Sequence, residues 1–148
     1  MLKPINIFFI LAILVSRFLP HPPNFTPVIA IFMLSSGFAL LPLLITYLFT
    51  DFLIGFHSYM LWVYASLFII SFLKQGPVSS AFLFFIITNF AVWTSGFYGY
   101  TVEGLFTCYI MGIPFFTNTL ISTILFYHMA QYYMQNFNNR HTSFVLQN

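Results

Sequence analysis

A chain of 148 residues with 60% hydrophobic, 22% aromatic and only 4% charged side chains cannot build the polar surface that a water-soluble domain needs. Spans of roughly 15 to 20 residues would consume nearly all of that length, which leaves no room for a separate catalytic domain. The net formal charge of +2 comes from four Lys and Arg residues far apart in sequence, which excludes both a nucleic-acid surface and a polybasic lipid clamp.

The composition therefore predicts an all-α, polytopic membrane bundle of about six short helices over residues 1–134, followed by a short polar cytoplasmic tail, 135–148. Lys3 followed by the apolar run Ile7 to Val15 imitates a secretory signal, but the run ends in Ser16-Arg17-Phe18-Leu19-Pro20 instead of a small-residue cleavage box. We read it as a retained first span, Ile5 to Leu19. It stops at Pro20-His21-Pro22-Pro23-Asn24, where three prolines in four residues forbid a continuous helix. Thr26 is placed to cap a short second helix with Pro27 in its first turn, ending near Gly37 and too short to span alone. A third span covers Leu40 to Ile54 and ends at Gly55, and a fourth covers Ser58 to Leu73. Lys74-Gln75-Gly76-Pro77 then forms a tight polar turn before the fifth span, Val78 to Thr94. Phe97 to Gly112 is a Tyr-rich segment with room for a half-helix, and the sixth span runs from Pro114 to about Met134. No internal repeat is present at a fixed period, so a transporter duplicated from two equal halves is not expected.

Basic residues flanking membrane helices stay preferentially in the cytoplasm. Cytoplasmic termini place Lys3, Lys74 and Arg140 inside and leave Arg17 near the outer surface. Tyr127, Tyr132 and Tyr133, with Gln131 and Gln135, then form an inner interfacial belt.

This orientation gathers the unusual polar residues at the outer ends of the helices: Arg17, His21 and Asn24 at the first corner, Asp51 and His57 at the third, and Trp93, Tyr98, Tyr100 and Glu103 after the fifth span. A charge within the membrane pairs, faces a cavity, or handles a solute, so an outward-facing polar pocket is expected. The competing reading is that Arg17 pairs with Asp51 or Glu103 only to lock helices together. Asp51 lies four residues before Gly55 on the same helical face, which suggests close approach by another group. Asn89 and Trp93 share a face four residues apart, offering an amide beside a large ring, or simply a helix-to-helix bond beside a belt tryptophan. Asn118 and Ser122 repeat that spacing after Pro114. Ala12 and Ser16 form a small-xxx-small pair suited to close helix contact, within the chain or with a partner.

Enzyme signatures are missing: no HExxH, no serine elbow, no glycine-rich phosphate loop, and no carboxylates paired at helical spacing. Among His21, His57, Asp51, Glu103 and Cys108 no two have metal-ligand spacing. The single cysteine, Cys108, excludes an internal disulfide and reads as packing. The expectation is a protein that is not an enzyme and has no catalytic residue, cofactor or metal site.

The residues His21-Pro22-Pro23-Asn24-Phe25-Thr26-Pro27, then Asp51 with Gly55-Phe56-His57, then Thr88-Asn89-Phe90 with Val92-Trp93, then Gly112, Pro114-Phe115-Phe116 and Asn118-Thr119, occur in an order that resembles an uncharacterised bacterial family of membrane transport proteins. The resemblance runs from Arg17 to about Tyr127. In outline that family resembles the substrate-binding membrane subunits of energy-coupling factor transporters, six-helix proteins with cytoplasmic termini. Those subunits bind vitamins or metal ions from outside and dock on a shared energising module, partly through small residues of the first helix. The resemblance implies a ligand pocket near the outer face and makes Ala12 and Ser16 the docking candidates. Two positions depart from the family pattern: Thr117 stands where a basic residue often follows the Phe-Phe pair, and Thr123 where an acidic residue comes six positions later. The relatives' ligand is therefore not carried over, and Asn118 remains the polar member of that motif.

The sequence leads us to expect a subunit of the bacterial inner membrane that captures a small solute, vitamin-like or a metal ion. Its candidate ligand-binding residues are Arg17, His21, Asn24, Asp51, His57, Asn89, Trp93, Glu103 and Asn118. With no nucleotide motif, uptake would need a transmembrane coupling subunit and ATPases in trans. The alternative is a structural or assembly subunit of a membrane complex with no ligand of its own.

Overall fold

The computed structural model describes the backbone of residues 4–35 and 37–145 and the side chains of residues 5–35 and 37–136. Among these residues the protein is all-helical, with six α-helices and no strand: α1 (Pro4–Phe18), α2 (Val28–Leu34), α3 (Leu40–Ile54), α4 (Met60–Leu73), α5 (Pro77–Thr94) and α6 (Val102–Val145), with a 3₁₀ turn, Gly37–Ala39, leading into α3. Three stretches are long and apolar enough to cross a membrane: Gly37–Ile54, Pro77–Thr94 and Val102–Asn136. Less than a third of each is buried inside the protein. Much of the remainder faces outward and is still apolar, with Phe38, Phe52, Phe82 and Phe106 all exposed. An outer surface of this kind suits hydrocarbon, not water.

The first helices pack on the next but one, α1 on α3 and α2 on α4, and only α4, α5 and α6 each lie beside their predecessor or successor. Arg17 near the end of α1 meets Asp51 near the end of α3, so these two helices run parallel. The chain between them must reverse, and α2 is that reversal. It is apolar on every side, with Val28 through Met33 all buried, as a helix without a polar face requires. Its last carbonyls receive the Lys74 ammonium, which donates to Met33 O at 3.4 Å and to Ser35 O. A cation at a helix C-terminus satisfies orphan carbonyls and complements the dipole there. The core forms around α2: Phe32, Ile13, Leu43, Leu67 and Ile70 are all at most 1% exposed.

The longest element is α6. Its 44 residues extend about 66 Å at about 1.5 Å per residue, about twice a bilayer's hydrocarbon thickness of about 30 Å. Its first half packs on α5, with Phe85 against Tyr109 and Phe116 at ring separations of 5.5 and 4.7 Å. The approach is close because Gly112 has no side chain. A Cβ there would strike Asn89 Oδ1 and come within 2.9 Å of the Phe85 ring. α6 also packs on α2, and Tyr133 in its second half reaches across to α1, stacked on Phe8 at 4.6 Å.

Three expectations change at this level. The helical part of the Tyr-rich segment, from Val102, joins the sixth span as one unbroken helix with Pro114 inside it, and Phe97 to Thr101 remain a loop. The helix continues through Pro114, which has no N–H to offer Ile110 O, while Thr117 and Thr119 just beyond it donate back to Ile113 O and Phe115 O at 3.0 and 2.9 Å. The polar stretch expected as a tail from Gln135 has helical backbone as far as Val145. Its residues 137–148, Arg140 among them, lie outside the described side chains, as does Lys3. Thr26 does not cap α2: the N-cap is Pro27, with no side-chain cap, because Thr26 is turned by its own N–H bond to Asn24 O at 3.2 Å. Nor does Gly55 accept a close neighbour. It terminates α3 at φ 121°, a conformation for glycine, with open space where a Cβ would be.

Candidate functional site

The corner between α1 and α2 is irregular and exposed, and it is tied to the middle of α6. Asn118, whose side-chain amide donates to Pro23 O at 3.0 Å, lies sixteen residues into α6, about 24 Å from its start at about 1.5 Å per residue. Ser122, one turn on, donates to Asn24 O at 3.4 Å. The corner is closed by Phe25 N–H to Pro22 O at 3.0 Å and by Asn24 in the left-handed region at φ 61°. Asparagine tolerates that conformation better than most non-glycine residues. Non-helical backbone at membrane depth persists only where protein covers it or a cavity takes it up. Here the bonds from Asn118 and Ser122 and the adjoining cavity take up part of the exposed corner.

A cavity of about 260 Å³ lies against this corner, lined by Arg17, His21, Asn24, Thr26, Tyr47 and Ser122 together with apolar residues of α2, α4 and α5. Arg17 organises it. Its Nη2 pairs with Asp51 Oδ1, its Nη1 donates to Tyr47 OH at 3.4 Å, and its guanidinium carbon sits 4.8 Å from the centre of the Tyr47 ring. The other carboxylate oxygen of Asp51 accepts from Tyr64 OH at 2.9 Å. One ion pair thus joins α1, α3 and α4. Asp51 is 1% exposed and both of its oxygens are engaged, whereas the Arg17 side chain keeps 19% exposure and its Nε–H has no partner among the described residues.

A second cavity, about 310 Å³, adjoins the first, sharing Asn24 and Phe84 in its lining. It reaches His57 and Tyr59 of the α3–α4 loop, Tyr98 of the α5–α6 loop, and Asn89 and Cys108. Asn89 here turns its amide back onto Phe85 O at 2.9 Å, and its own carbonyl accepts from Cys108 Sγ at 3.3 Å.

The sequence-predicted residues therefore separate into groups. Arg17, His21 and Asn24 line the first cavity, with Asp51 behind Arg17. Asn24, His57 and Asn89 line the second. Asn118 lines neither and tethers the corner. Trp93 packs on Phe90 and Tyr100 at 5.6 and 6.3 Å, its indole N–H buried without a partner among the described residues. Glu103 is exposed in the first turn of α6, where a carboxylate complements the helix dipole, and of the two partners considered for Arg17 it is Asp51 that is taken. No group of three His, Cys, Asp or Glu suited to a metal ion occurs among the described residues.

Tyr47 and Tyr64 were not anticipated. Tyr47 lies four residues before Asp51 on one face of α3, a signal that spacing alone contains. Tyr64 comes from another helix, and nothing local announces it. Ala12 and Ser16 line a third space, an apolar groove of about 610 Å³ between α1 and α6 walled by Phe8, Val15, Phe126 and Met129.

Comparison with curated proteins and with solved structures finds no match. A family model described as a family of unknown function, DUF6580, matches residues 3–143, and the chain belongs to that family.

Proposed function

We propose that this protein is a multi-pass subunit of the bacterial inner membrane that captures a small solute in the cavity beside the α1–α2 corner and works with energising partners in trans. The observation that carries this reading is the cavity itself: hydrogen-bonding side chains of Arg17, Tyr47, Asn24 and Ser122 converge on irregular backbone held about 24 Å along α6. Such a construction has a cost in apolar surroundings that helix locking alone does not require. The motifs from His21 to Thr119 resemble a family of membrane transport proteins whose outline is similar to the capture subunits of energy-coupling factor transporters, and that likeness is in keeping with the same reading. Lys74 and Arg17 at opposite ends of the bundle support cytoplasmic termini.

A second reading, an assembly subunit without a ligand, is favoured by one observation: the Arg17–Asp51–Tyr64 cluster ties three helices, and the apolar groove beside Ala12 and Ser16 is open to a partner. A thermal-shift screen of the detergent-purified protein against vitamins, nucleobases, amino acids and divalent metals separates the two, because a ligand of the native state raises apparent stability. Capture predicts a saturable shift that is lost in Arg17→Met/Asp51→Leu, a pair that keeps the helices packed. No shift across the panel, with a second protein copurifying stoichiometrically, would favour assembly.

A further inference from the structure

The apolar groove between α1 and α6, about 610 Å³, is roomier than either polar cavity. It exists because α1 packs on α3, and α6 on α5 and α2, but the two do not pack closely on each other. Rings bridge the gap toward its ends: Phe8 stacks on Tyr133 at 4.6 Å, and Phe25 of the corner meets Phe126 edge-on at 5.9 Å. Between these pairs the lining is Phe9, Ala12, Val15, Met129 and Ala130, with Ile31 of α2. The one hydroxyl on the α1 wall, Ser16, donates back to Ile13 O at 3.0 Å. The middle of the groove therefore offers hydrocarbon and no uncommitted donor.

In a bilayer such a space is filled, because an empty one forfeits the dispersion contacts of every wall. The lining runs along the first helix from Phe8 to Leu19, eleven residues or about 17 Å at about 1.5 Å per residue. That matches one leaflet, half of a hydrocarbon core about 30 Å thick. The volume corresponds to about twenty water-sized groups at about 30 Å³ each, the content of one long acyl chain and not two. A helix of the same length, about 10–12 Å across, displaces about 1,300–1,900 Å³ and would lie over the groove without entering it. Helices in lipid also associate through close backbone approach and interhelical hydrogen bonds, and the middle of the groove supplies no donor for the second.

The two ends differ in polarity. Pro20 and His21 line the corner end and are exposed, beside the exposed Asn24, and His21 lines the first cavity as well. The other end is closed by two stacked rings. We infer that the groove is a lipid site holding one acyl chain of a phospholipid lengthwise, its head group at the His21 corner and its methyl end at the Phe8–Tyr133 stack. The inference goes beyond solute capture and does not depend on it.

Wild-type protein in phosphatidylcholine vesicles would be photolabelled with a trace of either of two phosphatidylcholines, one with a diazirine at the methyl end of a chain and one with it near the ester. Peptide mass spectrometry then locates the adducts. The methyl-end probe is expected on Phe8, Tyr132 and Tyr133, and the ester-end probe on Leu19, Pro20 and Phe126. Each set should exceed the adducts on Phe52 and Phe82, exposed on α3 and α5, by at least about tenfold. Ala12→Trp places a ring in the groove and should cut its adducts at least about tenfold while those on Phe52 and Phe82 stay unchanged. Adducts that follow exposure alone, or the two probes in reversed order, overturn the inference. So does a partner helix that crosslinks stoichiometrically at Ala12 and Ser16 and excludes the lipid. The two-probe pattern is read on the wild type, so misfolding of Ala12→Trp would leave a decisive measurement.

Discussion

Replacing Asp51 by alanine removes the anion that Arg17 and Tyr64 both use, leaving a largely buried guanidinium unpaired and a hydroxyl without its acceptor. Breaking a buried pair from one side costs about 3–5 kcal/mol. The 19% exposure of Arg17 into a cavity that can admit water places the expected loss at the lower end, about 3 kcal/mol. For a protein of this size that corresponds to a fall in Tm of about 6–12 °C. The double replacement Arg17→Met/Asp51→Leu removes both charges and substitutes packing, so its stability should return to within about 1 kcal/mol of the parent. Thermal unfolding of the three proteins in one detergent, followed by intrinsic fluorescence, measures the cycle. The reasoning is refuted if Asp51→Ala lies within about 0.5 kcal/mol of the parent, the effect of an ordinary surface substitution. It is also refuted if the double variant is less stable than the single one.

Gly112→Ala should destabilise by about 1–3 kcal/mol, because the new methyl meets Asn89 and the Phe85 ring, and Asn89→Ala should recover part of that loss if the clash is the cause; urea-induced unfolding of single and double variants reads this. Lys74→Met should cost about 1–2 kcal/mol by leaving the last carbonyls of α2 without their cation, and hydrogen exchange should accelerate first within Val28–Leu34. Asn118→Leu should lower stability by only about 1 kcal/mol but weaken solute binding markedly, since it releases the corner at Pro23 while leaving the helices packed; unchanged affinity would show that the tether does not shape the cavity.

The class of the protein was legible in the sequence. With 60% hydrophobic and 4% charged residues there is one solvent in which the chain can bury its backbone, and the prolines and glycines mark most helix ends to within a residue or two. Leu40–Ile54 was placed to the residue, and the turn at Lys74 and the corner at Pro20–Asn24 were placed from composition because proline removes a donor and blocks the helical approach. The break expected before Pro114 was not there, because whether a proline interrupts a helix depends on what neighbouring groups can satisfy, and that is not local.

The site divides the same way. That a charge inside an apolar helix must find a partner follows from solvation alone, so Arg17 and Asp51 were identifiable as residues with a function in the fold or beyond it. Which partner Arg17 takes was not. Sequence left Asp51 and Glu103 equally available, and only the parallel packing of α1 and α3, forced by the short return of α2, brings Asp51 within reach. The same packing puts Tyr64 on the second carboxylate oxygen and turns Asp51 away from the cavity, leaving Arg17 to face it. Local sequence sets what each residue must avoid, and the tertiary arrangement decides which group relieves it, because contacts between helices depend on direction and depth that no spacing along one chain encodes.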